Sequence, residues 1–250
     1  MQQRSHFILP KSGRANKNFA CRSVAVGRNI FAAMDIITLT PENPDYPAEF
    51  RTIVDDMPPV LYALGNTELL THPHKVAIIG GRNADSNGID AACRLGRKYT
   101  EEGWVVVSGL AAGCDTAAHR GCLDAGGKTI AIVATGLDRV HPKANAALQK
   151  DILRSGGLIL SEQLLGTKAN PTRLIARTRL QAALANPIVV AQCAERSGTM
   201  HTVAFAQKYG KHLLAVSYDY LTEQTVGNRL LIDSGIAEAL LISPKIEIIL

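Results

Sequence analysis

Long hydrophobic runs are missing from this chain of 250 residues. No stretch approaches the roughly 18 apolar residues that a membrane-crossing helix needs. The expected setting is therefore the cytoplasm, with no membrane partner. The five cysteines, at positions 21, 93, 114, 122 and 193, include no C-x-x-C pair. Several lie in apolar strand or helix surroundings, so they read as small buried hydrophobes in a reducing compartment, and neither a disulfide framework nor a cysteine metal site is expected. His72, His74, His141, His201 and His212 lack metal-ligand spacing. Neither a metal nor a cofactor is expected.

Several motifs are also absent. The loop Gly80-Gly81-Arg82 is not a G-x-G-x-x-G fingerprint, and no acid ends the second core strand to hold a ribose. That excludes a nicotinamide oxidoreductase. There is no Walker A sequence, and Ser108 lacks the G-x-S-x-G elbow of a serine hydrolase. Acidic residues are missing from the first 34 positions, which carry six Lys and Arg. The remaining chain holds 21 basic and 22 acidic side chains. The formal charge of +5 therefore belongs to the N-terminal segment, and the body has no basic surface field. Any anion binding must use a local pocket.

What is present is a regular α/β alternation. Residues 1–34 have no sustained period and read as a basic extension: a disordered arm, a transit peptide, or a stretch upstream of the native start, with Met34 opening a more natural beginning. Residues 35–74 form a lead-in broken by Pro41, Pro44, Pro47, Pro58 and Pro59, with a short strand at Val60–Leu64. From Lys75 onward, short Val/Ile/Leu/Ala runs predict strands at 75–80, 104–108, 128–134, 157–161, 187–192 and 211–217. Helical periodicity falls between and after them, near 87–102, 114–125, 144–155, 173–185, 198–209 and 226–234. Continuously apolar strands with amphipathic crossovers predict a doubly wound, mostly parallel Rossmann-like sheet over 75–250, with helices on both faces. Ligands of such sheets lie beyond the carboxyl ends of the strands.

Four loops should meet at that edge. Gly80 and Gly81 admit close backbone approach, and Arg82 offers a planar fork for phosphate. The run from Ser108 to Asp115 turns a strand into a helix through Gly109 and Gly113, and free N–H groups at a helix start attract anions. Asp115 reads either as a plain N-cap or, with His119 one turn later, as an acid–base couple or a support for the loop. Arg173 and Arg177 share a helix face beside this loop and read as a phosphate clamp, with Arg179 pointing elsewhere. Glu162 ends a strand at the same edge, as a base or as the holder of one of these arginines. Finally Arg196, Ser197 and Gly198 precede a helix and could receive a second phosphate.

In this order the loops resemble the DprA/Smf family of DNA-processing proteins, within the wider SLOG group of Rossmann-like domains. The similarity runs over about residues 45–235. It includes V-A-I-I-G-G-R at 76–82, V-V-S-G-L-A-A-G-C-D-T-A-A-H-R-G at 106–121, G-G-K-T-I-A-I-V-A-T-G-L-D-R-V-H-P at 126–142, and Ser197-Gly198-Thr199. The resemblance implies a non-catalytic single-stranded DNA binder acting in DNA uptake or recombination. Its implied partners are a RecA-type recombinase and a second copy of itself. The implied contacts are Arg82, the Ser108–Gly113 loop, the Arg177 segment and Arg196. Several positions depart from the family pattern. Gly81 replaces a serine, Ala112 an arginine, Gln192 an acid and Arg196 a lysine. Leu174-Ile175-Ala176-Arg177-Thr178-Arg179 stands for F-P-x-R-N-R and loses an aromatic stacking platform, which can contribute about 1–3 kcal/mol per base. The N-terminal helical and C-terminal winged-helix domains of longer relatives have no counterpart in these residues. Such changes also suit a DprA-like antitoxin or interaction module from a phage-defence toxin pair. A SLOG-type nucleotide hydrolase is the third reading, although its P-G-G-x-G-T-x-x-E motif is absent.

Overall fold

The computed structural model describes residues 35–242 and 248–249. The basic extension at 1–34 lies outside the described residues. The Pro-broken segment supplies β1 (Ile36–Leu39), the short helix α1 (Ala48–Arg51) and β2 (Leu61–Gly65). The alternation then runs β3 (Lys75–Ile79), α2 (Ser86–Glu101), β4 (Val105–Ser108), α3 (Cys114–Asp124), β5 (Thr129–Ile132), α4 (Ala146–Arg154) and β6 (Leu158–Ser161). It continues with α5 (Pro171–Ala176), α6 (Thr178–Leu184), β7 (Ile188–Val190), α7 (Thr199–Lys208), β8 (Leu213–Val216), α8 (Val226–Asp233), β9 (Glu238–Ile242) and β10 (Ile248–Ile249). The described strands form one sheet in the order β1-β2-β6-β5-β4-β3-β7-β8-β9-β10. Strands β3 to β9 are parallel. The ribbon β1–β2 adds antiparallel to β6, and β10 adds antiparallel to β9. This is the doubly wound, mostly parallel α/β fold that the periodicity predicts.

The central strands are apolar throughout because both faces are covered. In β3, Ala77 and Ile79 join one core and Val76 and Ile78 the other. The first core includes Leu180, Leu184 and Val203 of α6 and α7, together with Tyr46 and Phe50 from the lead-in. The second is closed by Ala91, Leu95, Ala117 and Ala118 of α2 and α3. Full burial of each Ile or Val side chain contributes about 1.5–3 kcal/mol. Helix starts are set locally. Asp85 accepts from the Gly88 N–H (2.9 Å) to begin α2, and Asn170 accepts from the Arg173 N–H (2.8 Å), with Pro171 opening α5.

Two differences from the sequence reading matter. The helix expected over 173–185 is two helices, broken at Arg177, whose side chain is drawn under the neighbouring loop. Strands β1, β9 and β10 were not anticipated. β1 buries only Leu39, so its four residues carry no readable alternation and are placed by pairing with β2.

The topology leaves a crevice beside β3. From β3 the chain crosses to β4 on one side, whereas β7 lies on the other side and leads away to β8. Loops leaving the carboxyl ends of β3 and β7 therefore diverge, which is the switch-point arrangement.

Candidate nucleic-acid interface

The Gly-rich loop between β4 and α3 is tied from behind. Ser108 is fully buried, and its hydroxyl donates to the Ile78 carbonyl (2.7 Å). Ser108 therefore pins β4 to β3 and does not face a ligand, a correction to its place among the phosphate contacts. Asp115 lies inside the first turn of α3, with Gly113 before it at φ 78°. The Asp115 Oδ2 accepts from the N–H groups of Gly109 (3.1 Å) and Ala111 (3.3 Å). The chain's own carboxylate thus takes up amides that the sequence suggests for phosphate. Asn145 Nδ2 donates to the Leu110 carbonyl (2.8 Å) and to Thr116 Oγ1 (2.9 Å), closing the back of the loop.

Arg177 completes this support. Its Nη1 donates to the carbonyls of Gly109 and Ile132, the latter at 2.7 Å, and its Nη2 stands 3.8 Å from Asp115 Oδ2. A Cβ at residue 109 would overlap the guanidinium, so glycine there makes room for it. Burial pulls the Arg177 pKa down, while Asp115 raises it and nearby Arg82 lowers it further. Burial likewise pushes Asp115 up, against the pull of Arg177 and the loop hydrogen bonds. Arg177 borders the cleft but is 7% exposed; its Nη1 donors are taken by two carbonyls, whereas its buried Nε has no partner among the described residues. Its primary role is to hold the loop.

The other members of the expected clamp are engaged elsewhere. Arg173 Nη1 donates to the Lys168 carbonyl (3.1 Å). Arg179 forms a bidentate pair with Glu162, one contact at 2.6 Å, and its Nε donates to the Asp56 carbonyl (3.0 Å). It joins the lead-in to the sheet edge and borders neither cleft. Glu162 holds an arginine and is not free as a base. His119 forms no couple with Asp115. Its Nδ1 meets Thr129 Oγ1 at 2.8 Å, and that hydroxyl donates to the Val106 carbonyl (2.6 Å), so Nδ1 carries the proton. Burial, reinforced by Arg177 and Arg120, holds the His119 pKa down to about 3.

The remaining residues do meet. A cleft of about 400 Å³ opens at the switch point. Gly80, Gly81 and Arg82 line it after β3. Arg196, Ser197 and Gly198 line it after β7, and Ala111, Asp115 and Arg177 border it. A smaller cleft of about 100 Å³ lies beside it, sharing Arg82, Leu174 and Arg177 and adding Gly109 and His141. Gly113 borders neither; it packs against the Gly81 and Arg82 backbone. Arg82 and Arg196 are exposed, and among the described residues neither makes a hydrogen bond or ion pair. The start of α7 adds the positive end of a ten-residue helix. Gly198 has φ −58° and ψ −20°, open to any residue, and a Cβ there would meet nothing within 4 Å. Neither backbone nor packing calls for glycine at 198, whereas a ligand pressed against the helix start would.

Sequence reasoning missed the floor of the cleft, where Thr178, Gln181 and Thr202 are almost completely buried. A legible signal was present: Gln181 interrupts the apolar run Leu180-Gln181-Ala182-Ala183-Leu184 on a helix packed into the core.

Comparison with known proteins agrees with this architecture. Residues 37–248 match the family model of DNA recombination-mediator protein A. The DNA processing protein DprA of Streptococcus pneumoniae is 35% identical over 225 residues, which is 86% of this chain and 78% of that protein. Protein Smf of Synechocystis is 34% identical over 206 residues, or 81% of this chain and 51% of the relative. The X-ray structure of the pneumococcal protein superposes with a TM-score of 0.76, covering 82% of this chain and 71% of that one. A structure of DNA processing protein A from Helicobacter pylori, which concerns its single-stranded DNA binding mode, gives 0.73 at 33% identity, covering 82% and 90%.

Proposed function

This chain belongs to the DprA/Smf family of DNA recombination-mediator proteins, and from that premise we propose that its switch-point cleft binds the backbone of single-stranded DNA without catalysing a reaction on it. The observation that carries the reading is the convergence of Arg82 and Arg196, exposed and without anionic partners among the described residues, on one cleft with Gly198. Two cations and a helix start on one concave surface favour a chain of phosphates. Of the two acids that line the cleft, Asp115 is engaged by loop amides and Glu223 is exposed, so neither is a buried, unengaged carboxylate, which favours binding over chemistry. A RecA-type recombinase and a second copy of the chain are the proposed protein partners, in DNA uptake or recombination.

Arg82→Ala and Arg196→Ala are each expected to weaken binding of a fluorescent oligonucleotide about tenfold, near 1.4 kcal/mol. Each should also flatten the dependence of log affinity on log salt by about 0.7. Anisotropy titrations at two salt concentrations read both, with Arg154→Ala, on the exposed end of α4, as control. Unchanged affinity and slope in both cleft variants would remove the assignment.

Gly198→Ala separates binding from folding. Alanine fits the local backbone, so thermal stability should hold or rise by up to about 1 kcal/mol, while the added methyl lowers oligonucleotide affinity. A variant as tight as the parent would show that no ligand approaches this glycine.

A second reading, a protein-interaction module of antitoxin type, draws on Leu164 and Leu165 after β6, which are 66% and 57% exposed. Its test is capture of a cognate toxin that survives Arg82→Ala but not Leu164→Asp.

A further inference from the structure

The sheet ends at an edge that no described residue covers. β1 pairs with β2 on one side, and its outer side is unpaired among the described residues. Such a strand turns N–H and C=O groups to solvent at alternate residues, and folded proteins usually guard it with lysine, proline or a bulge. β1 carries none of these; its sequence is Ile-Ile-Thr-Leu, in unbroken register with β2.

Two cores run out at this edge. Ile37 shares a face with Leu39 and stands opposite Ala63, and Leu39 and Ala63 both belong to the core beneath α6 and α7. Ile36 lies on the other face, opposite Leu64, which belongs to the core beneath α4. Ile36 and Ile37 are 36% and 41% exposed, so apolar surface continues from both cores to solvent. One added strand would cover both, because its side chains alternate between the two faces.

The charge around the edge has one sign. Residues 35–74 hold seven acids and one arginine. Glu49 and Asp56 are paired with Lys75 and Lys208. Asp35 before the strand, and Glu42 and Asp45 after it, are exposed and form no ion pair among the described residues. A second copy of the chain would bring these acids against themselves, and like charges set together across an interface are unfavourable.

We propose that β1 receives an extended, basic segment of a partner protein as an additional strand of the sheet. Main-chain hydrogen bonds along β1 supply affinity, and side chains supply selection. β-Branched residues cover Ile36 and Ile37, and lysine or arginine at the segment's ends meets Asp35, Glu42 and Asp45. In the sheet order β1 stands five strand spacings from β3, about 24 Å. A partner held here leaves the switch-point cleft open.

The test uses the whole chain and a fluorescent peptide, K-K-V-T-V-I-K-K, followed by anisotropy, with E-E-V-T-V-I-E-E as its acidic counterpart. The basic peptide should bind saturably, and the acidic one at least about tenfold more weakly. Ile36→Thr with Ile37→Thr keeps strand-forming residues and removes the apolar cover; it should weaken the basic peptide about tenfold. Asp35→Asn, Glu42→Gln and Asp45→Asn together should weaken it to a similar degree and remove most of its salt dependence. Both variants should keep the parent's melting temperature. If the isoleucine variant unfolds, the acid variant decides alone. Equal binding of the two peptides, or an affinity unchanged in a folded variant, would overturn the proposal. Carbodiimide cross-linking then identifies the occupant. A link from the peptide's lysines to Asp35, Glu42 or Asp45 supports a basic partner. A link from residues 1–34 to those acids, or between isotopically light and heavy copies of the chain through them, would overturn it by giving the edge to the chain itself.

Discussion

Replacing Arg177 by alanine is expected to remove much of the margin by which this protein is stable. The guanidinium donates to the carbonyls of Gly109 and Ile132 and faces Asp115, all away from bulk water. Its removal leaves two carbonyls short of donors and a buried carboxylate without its counter-charge. Breaking a buried pair from one side costs about 3–5 kcal/mol, and a domain of this size loses roughly 2–4 °C of melting temperature per kcal/mol. Thermal and urea denaturation should therefore show a fall of about 10 °C or more. The double variant Arg177→Met with Asp115→Asn removes both charges and should recover part of the loss. Should Arg177→Ala keep its stability and lose only DNA affinity, Arg177 would be a ligand contact and not a support.

Acid should destabilise the protein through His119. This ring is buried, its Nδ1 meets Thr129, and its pKa is held down to about 3. In the unfolded chain a histidine titrates near 6.5. Above that pH both states are neutral at this site and the contribution to stability is complete. As pH falls below about 6.5, the unfolded chain takes up a proton that the native state refuses, so stability declines by about 1.4 kcal/mol per pH unit until the native pKa is reached. By pH 4 the loss from this one ring approaches about 3 kcal/mol. Carboxylates also titrate there, so the informative quantity is the difference from His119→Gln, which has no such proton. Urea midpoints across pH 4 to about 7 should show the two proteins converging on the acid side. Parallel curves would mean that His119 is protonated in the native state.

Part of this site can be reached from sequence. The position of the cleft was legible, because ligand sites of doubly wound sheets lie at strand carboxyl ends and the four loops were found by their glycines and charges. Arg82, Arg196, Ser197 and Gly198 line one cavity. The division of labour among the arginines was not legible. Arg173, Arg177 and Arg179 look alike in a heptapeptide, but a one-residue interruption of the helix turns them toward different acceptors. Asp115 illustrates the same limit: at the start of α3 it could cap, catalyse or support, and only the positions of Gly109 and Ala111 decide for support. Gln181 was passed over because a polar residue in an apolar helix stripe is ordinarily answered by a neighbour, and whether one exists is a three-dimensional fact.

Taken alone, the sequence determined the alternation of strands and helices, the covering of both sheet faces and the edge at which chemistry would gather. Those properties follow from the periodicity of apolar side chains and from where glycine permits a turn, both local along the chain. Tertiary structure decided which charges remain available. Arg177 finds the Gly109 carbonyl 68 residues away, and Arg179 finds Glu162 17 residues away. A charge is free or engaged according to what the fold brings beside it, and Arg82 and Arg196 are available because, among the described residues, no acid stands within ion-pair distance of either.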